Sequence, residues 1–255
     1  MKQPIALSAF SDNYIWVIPN HERHTFICVD PGQSEPVLLF AHDSGLSLNA
    51  ILLTHHHSDH IAGVQKLLDV FPNALVFGPN DQRMPQSNKP LHPENSVVLD
   101  ECCFRVINTP GHTCSHICYY EPRQHWLFCG DTLFSAGCGR VFDGTIQDLH
   151  HSLLTLKNLP DETQIYCAHE YTRKNLEFAA TIEPKNLTIS TYLKKLNDST
   201  VVLSLPSTMA LEKKINPFLR TDSYSLQEYA KEHHIDPLDS LIIFNYLRDK
   251  KDLFY

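Results

Sequence analysis

No two cysteines in this 255-residue chain stand at C-x-x-C spacing, which removes the zinc-ribbon and thioredoxin-type readings. No apolar run approaches the roughly 18 residues that a membrane-spanning helix needs. The start, Met1-Lys2-Gln3-Pro4-Ile5-Ala6-Leu7, lacks a sustained apolar core and soon meets Asp12, so no secretory signal is expected. Cations are in deficit: 21 Lys and Arg against 29 Asp and Glu give a formal net charge of −8. That is the wrong balance for a general nucleic-acid binder, which neutralises phosphates with clustered Lys and Arg. Internal repeats and low-complexity segments are also missing. What remains is a globular composition, 42% hydrophobic and 20% charged, in a chain long enough for one large domain or two modest ones. Of its 8 cysteines, Cys28, Cys118, Cys129 and Cys167 sit in apolar strand-like runs, where a free thiol behaves as a small hydrophobe. A reduced, soluble, cytoplasmic protein is expected.

Short β-rich runs at 5–9, 14–18 and 25–30, separated by turn-forming segments, predict an antiparallel meander. A helix is expected at 36–42, stopped by Gly45, then a strand at 50–54, a helix at 61–70 and a strand at 74–78. Residues 80–95 are polar and proline-rich and read as loop. Further strands are expected at 97–99, 103–108, 116–121, 125–129 and 164–168. A helix at 146–159 shows apolar Ile146, Leu149, Leu153 and Leu156 at helical spacing. Two groups of strands with helices between them predict two packed sheets covered by helices, with topology left open. Beyond Asn175 helical periodicity takes over, at 176–182, 187–196, 225–233 and 237–249. The expected division is therefore 1–173 and a smaller helical part, 174–255.

The 16 histidines are the compositional excess, and they concentrate in Thr54-His55-His56-His57-Ser58-Asp59-His60, just after the apolar run Ala50-Ile51-Leu52-Leu53. A strand delivers the chain to this H-x-H-x-D-H turn. Alternation there points His55 and His57 together, leaves Asp59 and His60 for a second point, and turns His56 away. His112, Asp131 and His169 share the same address, at the end of a strand and entering a turn beside a small residue. Seven donors exceed the four of a closed structural zinc site and suit two divalent ions. His55, His57 and His112 are assigned to the first, and Asp59, His60 and His169 to the second. Asp131 has two oxygens to share and is assigned as the bridge. Such a pair would acidify a water between them and make a nucleophile without a serine or cysteine. Zinc is expected first; iron and manganese suit the same donors.

This set resembles the metallo-β-lactamase superfamily. The resemblance implies an α+β fold, an αββα four-layer sandwich with the metals at one edge, followed here by the smaller helical domain. Gly130-Asp131-Thr132-Leu133-Phe134-Ser135-Ala136-Gly137-Cys138-Gly139-Arg140, Phe142-Asp143-Gly144-Thr145, His169-Glu170-Tyr171-Thr172 and Leu247-Arg248-Asp249-Lys250-Lys251-Asp252-Leu253-Phe254 resemble the glyoxalase II, or hydroxyacylglutathione hydrolase, family. That resemblance runs essentially end to end. It implies hydrolysis of S-lactoylglutathione to glutathione and D-lactate, the second step of methylglyoxal detoxification, by a binuclear metal thioesterase. Asp59 and Asp131 would be the catalytic carboxylates, and Arg140, Phe142, Tyr171, Arg248 and Lys251 would hold the glutathione moiety. Phe142 stands where some members carry Tyr, and Arg140 where others carry Lys. Arg248 and Lys251 are three apart and share a helix face, suited to a carboxylate of the substrate. A small-molecule thioester is thus the expected partner of a monomer, with no nucleic acid and no membrane. The rival readings are a metal-dependent RNA or phosphodiester nuclease of the same superfamily, iron-dependent persulfide oxidation, and a non-catalytic metal-binding redox module.

Overall fold

A computed structural model describes residues 3–85, 88–93, 95–198 and 203–254. Met1 and Lys2 of the amino-terminal reading, and 86–87 and 94 of the expected loop, lie outside them. The chain forms two compact units: Met1–Asn108 with Ser115–Gly130, and Thr109–Cys114 with Asp131–Tyr255.

In the first unit, β1 (Ile5–Ala9), β2 (Asn13–Asn20) and β3 (Thr25–Val29) form the expected antiparallel meander. After α1 (Glu35–Ser44), closed by Gly45 in the left-handed region at φ 67°, β4 (Ser47–Leu52) pairs parallel to β3. The expected single helix after the His-rich turn is two: α2 (Ser58–Ile61) and α3 (Val64–Val70). They part at Ala62-Gly63, where the Gly63 N–H leaves the helical ladder for the Pro31 carbonyl, 3.0 Å away. A Cβ on Gly63 would lie 2.5 Å from that oxygen. Next come β5 (Leu75–Pro79) and β6 (Asn88–Leu91), parallel to β4 and to each other. The latter corrects the loop expected over 80–95. Asn88-Lys89-Pro90-Leu91 has poor strand propensity, and pairing with β5 makes it a strand at the sheet edge, where Pro90 is tolerated.

A second, antiparallel set comprises β7 (Ser96–Leu99), β8 (Cys102–Asn108), β9 (Ile117–Glu121) and β10 (Trp126–Gly130). The first sheet is buried on both faces. Ile15, Val17, Phe26 and Cys28 share a core with Val37, Ala41 and Leu67 of the helices. On the other side, Tyr119 of β9 reaches across, its hydroxyl donating to the carbonyls of Leu53 (2.8 Å) and Phe77 (3.2 Å).

The second unit holds the β11 (Leu133–Phe134) and β12 (Gly137–Cys138) hairpin, α4 (Ile146–Lys157), and β13 (Gln164–Cys167) paired with β14 (Ser207–Thr208). Its helices are α5 (Thr172–Ile182), α6 (Leu187–Asp198), α7 (Met209–Ile215), α8 (Tyr224–Glu232) and α9 (Ser240–Asp252). The short β11, β12, β14 and α7 had no sequence-level expectation. Glu212 of α7 is fully buried and straps the hairpin. It accepts from the Ser135 hydroxyl and the Ala136 N–H, both at 2.8 Å, and burial pushes its carboxyl up. Asn216 adds bonds to the carbonyls of Phe134 and Gly137.

Tyr119→Phe should lower stability by about 1–3 kcal/mol in urea denaturation, because the Leu53 carbonyl loses its buried hydroxyl donor, while the Phe77 carbonyl keeps the Leu53 N–H at 2.8 Å. A loss within error of zero would show that the hydroxyl is not what ties the two sheets.

Candidate metal centre

The strand ends of the first unit bring four of the seven predicted donors together. Parallel pairing of β3 and β4 sets their C-terminal ends side by side, so that Asp30 lies against the turn Thr54–His60. Asp30 is buried and takes φ 51°, the left-handed region that Asp tolerates better than most residues. Its Oδ1 accepts the Thr54 N–H (2.8 Å), and its Oδ2 accepts the Thr54 hydroxyl (2.7 Å) and His60 Nδ1–H (3.0 Å). The Thr54 hydroxyl, having given its proton to a carboxylate, accepts from His55 Nδ1–H at 3.1 Å. Both fully buried histidines are thereby held with Nε2 as the lone-pair nitrogen.

His55 Nε2 faces His57 Nδ1 at 3.1 Å, and His60 Nε2 lies 3.5 Å from Asp59 Oδ2. Donor atoms of His55 come within 4.8 Å of those of both His57 and His60. Asp59 is partly exposed and is steered by Asn13 Nδ2, which donates to Oδ2 at 3.0 Å. Nitrogen and oxygen donor atoms gathered this closely suit a cation. His56 has its Nδ1 3.9 Å from Asp81 Oδ2 and its ring 4.9 Å from that of His57.

Asp30 and His116 were not singled out from the sequence. His116 is fully buried and stacks on His55, with ring centroids 4.9 Å apart at 26°. Asp30 had a signal, since it ends a strand before Pro31-Gly32 just as the predicted donors end theirs. Gly130, which leads into Asp131, has φ 46°, and a Cβ there would lie 2.3 Å from Thr54 Oγ1 and 2.8 Å from His116 Nε2.

The other three donors meet in the second unit. Asp131 presents one oxygen to each of two imidazoles: Oδ2 lies 3.5 Å from His112 Nε2 and Oδ1 lies 3.5 Å from His169 Nε2. His112 gives its Nδ1–H to the Arg140 carbonyl at 2.8 Å, which leaves Nε2 as the donor atom. His169 stacks on Tyr171, with centroids 4.7 Å apart and planes 9° off parallel. The donor chemistry fits divalent metals in both units, through imidazoles whose Nδ1–H is committed at His55, His60 and His112, and carboxylates partly withdrawn from water.

The residues expected at the substrate also lie in this unit. Arg140 is exposed, and Phe142, also exposed, sets its ring edge-on to His112 at 5.1 Å. Tyr171 is half-buried. Lys251 rests over the rings of Phe178 and Phe254. Burial, with the Arg248 charge adding to it, lowers the Lys251 ammonium to about 8. Arg248 does not share an outward face with Lys251. It is 4% exposed and turned into the protein.

Histidine and aspartate sets at strand ends, in a chain of β-sheets and helices with a helical C-terminal region, define a metallo-hydrolase fold. Residues 13–169 match the metallo-beta-lactamase superfamily, and residues 170–254 match the hydroxyacylglutathione hydrolase C-terminus. The chain belongs to the hydroxyacylglutathione hydrolase family of that superfamily. It is 50% identical over 250 residues to the hydroxyacylglutathione hydrolase of Legionella pneumophila strain Lens, covering 98% of each chain. To that of Aliivibrio salmonicida strain LFI1238 it is 45% identical over 255 residues, again covering 98% of each. The crystal structure of ETHE1 from Myxococcus xanthus is similar with a TM-score of 0.67 over 97% of this chain and 99% of that one, at 23% identity, a likeness of fold alone. The expected α+β fold class and family hold.

Asp30→Asn should weaken metal binding about 10–100-fold, the usual effect of removing a carboxylate that orients a ligating histidine. Competition with a chromogenic chelator measures it, and an unchanged affinity would refute the role given to Asp30.

Proposed function

We propose that this chain hydrolyses S-lactoylglutathione to glutathione and D-lactate. The observation that carries the proposal is the two-way 98% coverage, at 50% identity, of a hydroxyacylglutathione hydrolase, together with a C-terminal match peculiar to that family. His55, His57 and His112 would hold one divalent metal and Asp59, His60 and His169 a second, with Asp131 shared and zinc the first expectation. The two separate oxygens that Asp131 offers to His112 and His169 support its sharing. We further propose a cytoplasmic monomer, with residues 1–173 supplying the metal ligands and 174–255 supplying Arg248 and Lys251. Among the described residues no helix is long and apolar enough to cross a membrane.

When bound, such metals supply positive charge to a carbonyl oxygen and bring the ionisation of water towards neutral pH. The chain's own groups do the rest. Asp59, steered by Asn13, orients the attacking water with its partly exposed carboxylate. The leaving group is a thiolate whose pKa lies near 8.5, so it departs without a general acid. Arg140 and Lys251 provide the cations, Phe142 and Tyr171 the flat surfaces, for a substrate that brings two carboxylates and an amide backbone. A thiol-based redox role has less support. Burial raises the thiols of Cys28 and Cys167, and raises Cys138 to about 11, and all 8 cysteines are free.

Metal-replete protein should release thiol and lactate in equal amounts from S-lactoylglutathione, and exhaustive chelation should abolish the release. No thiol release from a sample shown to hold two metals per chain would sink the assignment. The low Lys251 value adds a pH signature. Its cation is present below about 8 and is lost as pH rises through that value, so KM should climb above pH 8. In Lys251→Ala the KM should be raised throughout and flat across the same range; a parallel climb in that variant would assign the titration to another group.

A further inference from the structure

Arg248 is 4% exposed, on the inner side of the last helix. Its Nη1 donates to the Cys138 carbonyl at 3.0 Å and reaches the Gly139 carbonyl at 3.4 Å. Nη2 donates to Asp252 at 2.9 Å, and the guanidinium lies over the Phe218 ring, 5.2 Å from its centroid. A guanidinium so enclosed has most of its donors spent on the chain itself.

What it holds is the underside of the candidate ligands in its own unit. Gly139 touches both predicted ligands of that segment. A Cβ there would lie 2.0 Å from the Asp131 carbonyl oxygen and 3.1 Å from His112 Nδ1, so no other residue fits without displacing them. The Gly139 N–H bonds the Thr132 carbonyl, directly after Asp131, at 3.2 Å. The next residue, Arg140, supplies the carbonyl that accepts His112 Nδ1–H, and Phe142 N–H returns to the His112 carbonyl at 3.0 Å. The segment 138–142 is thus a brace under His112 and Asp131, and Arg248 is the cation that fixes its near end.

We infer that Arg248 is a positioning residue for the metal centre. Through the Cys138 and Gly139 carbonyls it sets the height of the brace, and the brace sets the tautomer and aim of His112 and the approach of Asp131. The C-terminal helix would then be required for the metal ligands of this unit as well as for the substrate. This inference rests on the metal-site reading above. Arg is suited to the task because its fork can serve a carbonyl on one arm and Asp252 on the other, which a lysine ammonium on a flexible stem does not reproduce.

The test uses full-length Arg248→Lys and Arg248→Met, with metal affinity read by stepwise chelator competition and coordination read from the visible spectrum of the cobalt-substituted chain. One equivalent should weaken by about tenfold or more in both variants, with an altered cobalt spectrum, kcat lowered along with any rise in KM, and parental far-ultraviolet circular dichroism for Arg248→Lys. Should Arg248→Met not fold, Arg248→Lys decides alone. Parental metal affinity and cobalt spectrum with only KM raised would overturn the inference and leave Arg248 a substrate contact. A parent chain that takes up no metal would sink the metal-site reading itself, and this inference with it.

Discussion

The candidate donor set of the first unit depends on one buried carboxylate. Asp30 is 4% exposed, and burying a carboxylate so deeply costs several kcal/mol unless its oxygens are filled with donors. Three donors fill them, and each belongs to the His-rich turn or its first residue. The compensation and the orientation of the candidate donors are the same set of bonds. An anion that must be satisfied takes the Nδ1 proton of His60 directly and orients that of His55 through Thr54, leaving both Nε2 atoms outward. Parallel pairing of β3 with β4 makes this available, because two parallel strands end on the same side.

The second unit solves the same problem with the opposite sign. There the His112 proton is taken by a backbone carbonyl, a weaker acceptor than a carboxylate and one that must itself be held in place. A loop carbonyl next to glycine has little to fix it, so the sequence brings a buried cation 110 positions along the chain to grip the adjoining carbonyls. Glu212, Asn216 and Asn175 do likewise for the β11–β12 hairpin between Asp131 and Gly139, with Asn175 Nδ2 donating to the Ser135 carbonyl at 3.0 Å. Short, irregular segments carry the candidate ligands of this unit, and side chains from helices supply the rigidity that a sheet supplies in the other.

That difference also decides what could be read from sequence. The donors His55, His57, Asp59 and His60 stand in one dense motif, and His112, Asp131 and His169 each follow a strand whose apolar run is plain, so strand ends alone located them. Asp30 has the same address but stands singly, without a neighbouring histidine to draw attention. The strand at Asn88–Leu91 was illegible because its stabilisation comes from the backbone of β5 rather than from its own side chains. The break at Gly63 follows from a bond to Pro31, 32 residues earlier by number. Helical spacing shows that Arg248 and Lys251 stand three apart; it carries no information on which of two such cations is swallowed by the core. Phe218, whose ring receives the guanidinium, decided that, and it lies in a part of the chain with no periodic signal.

With Arg248 enclosed, the proposed recognition of an anionic substrate by an acidic protein would fall to the cations that remain accessible. Arg140 is one, and its side chain already has a partner: Asp252 lies 3.2 Å from Arg140 Nε while bonded to Arg248. The Arg140–Asp252 pair is exposed on both sides, 60% and 41% by side chain, and an ion pair so open contributes at most about 1 kcal/mol. Opening it therefore costs little, and Asp252 keeps its bond to Arg248 when Arg140 leaves. A substrate carboxylate can take Arg140 without stranding a buried charge. The division of labour between the two arginines follows from burial: the enclosed one is committed to the backbone beneath His112 and Asp131, and the exposed one, a few residues along that same backbone, is free to change partners.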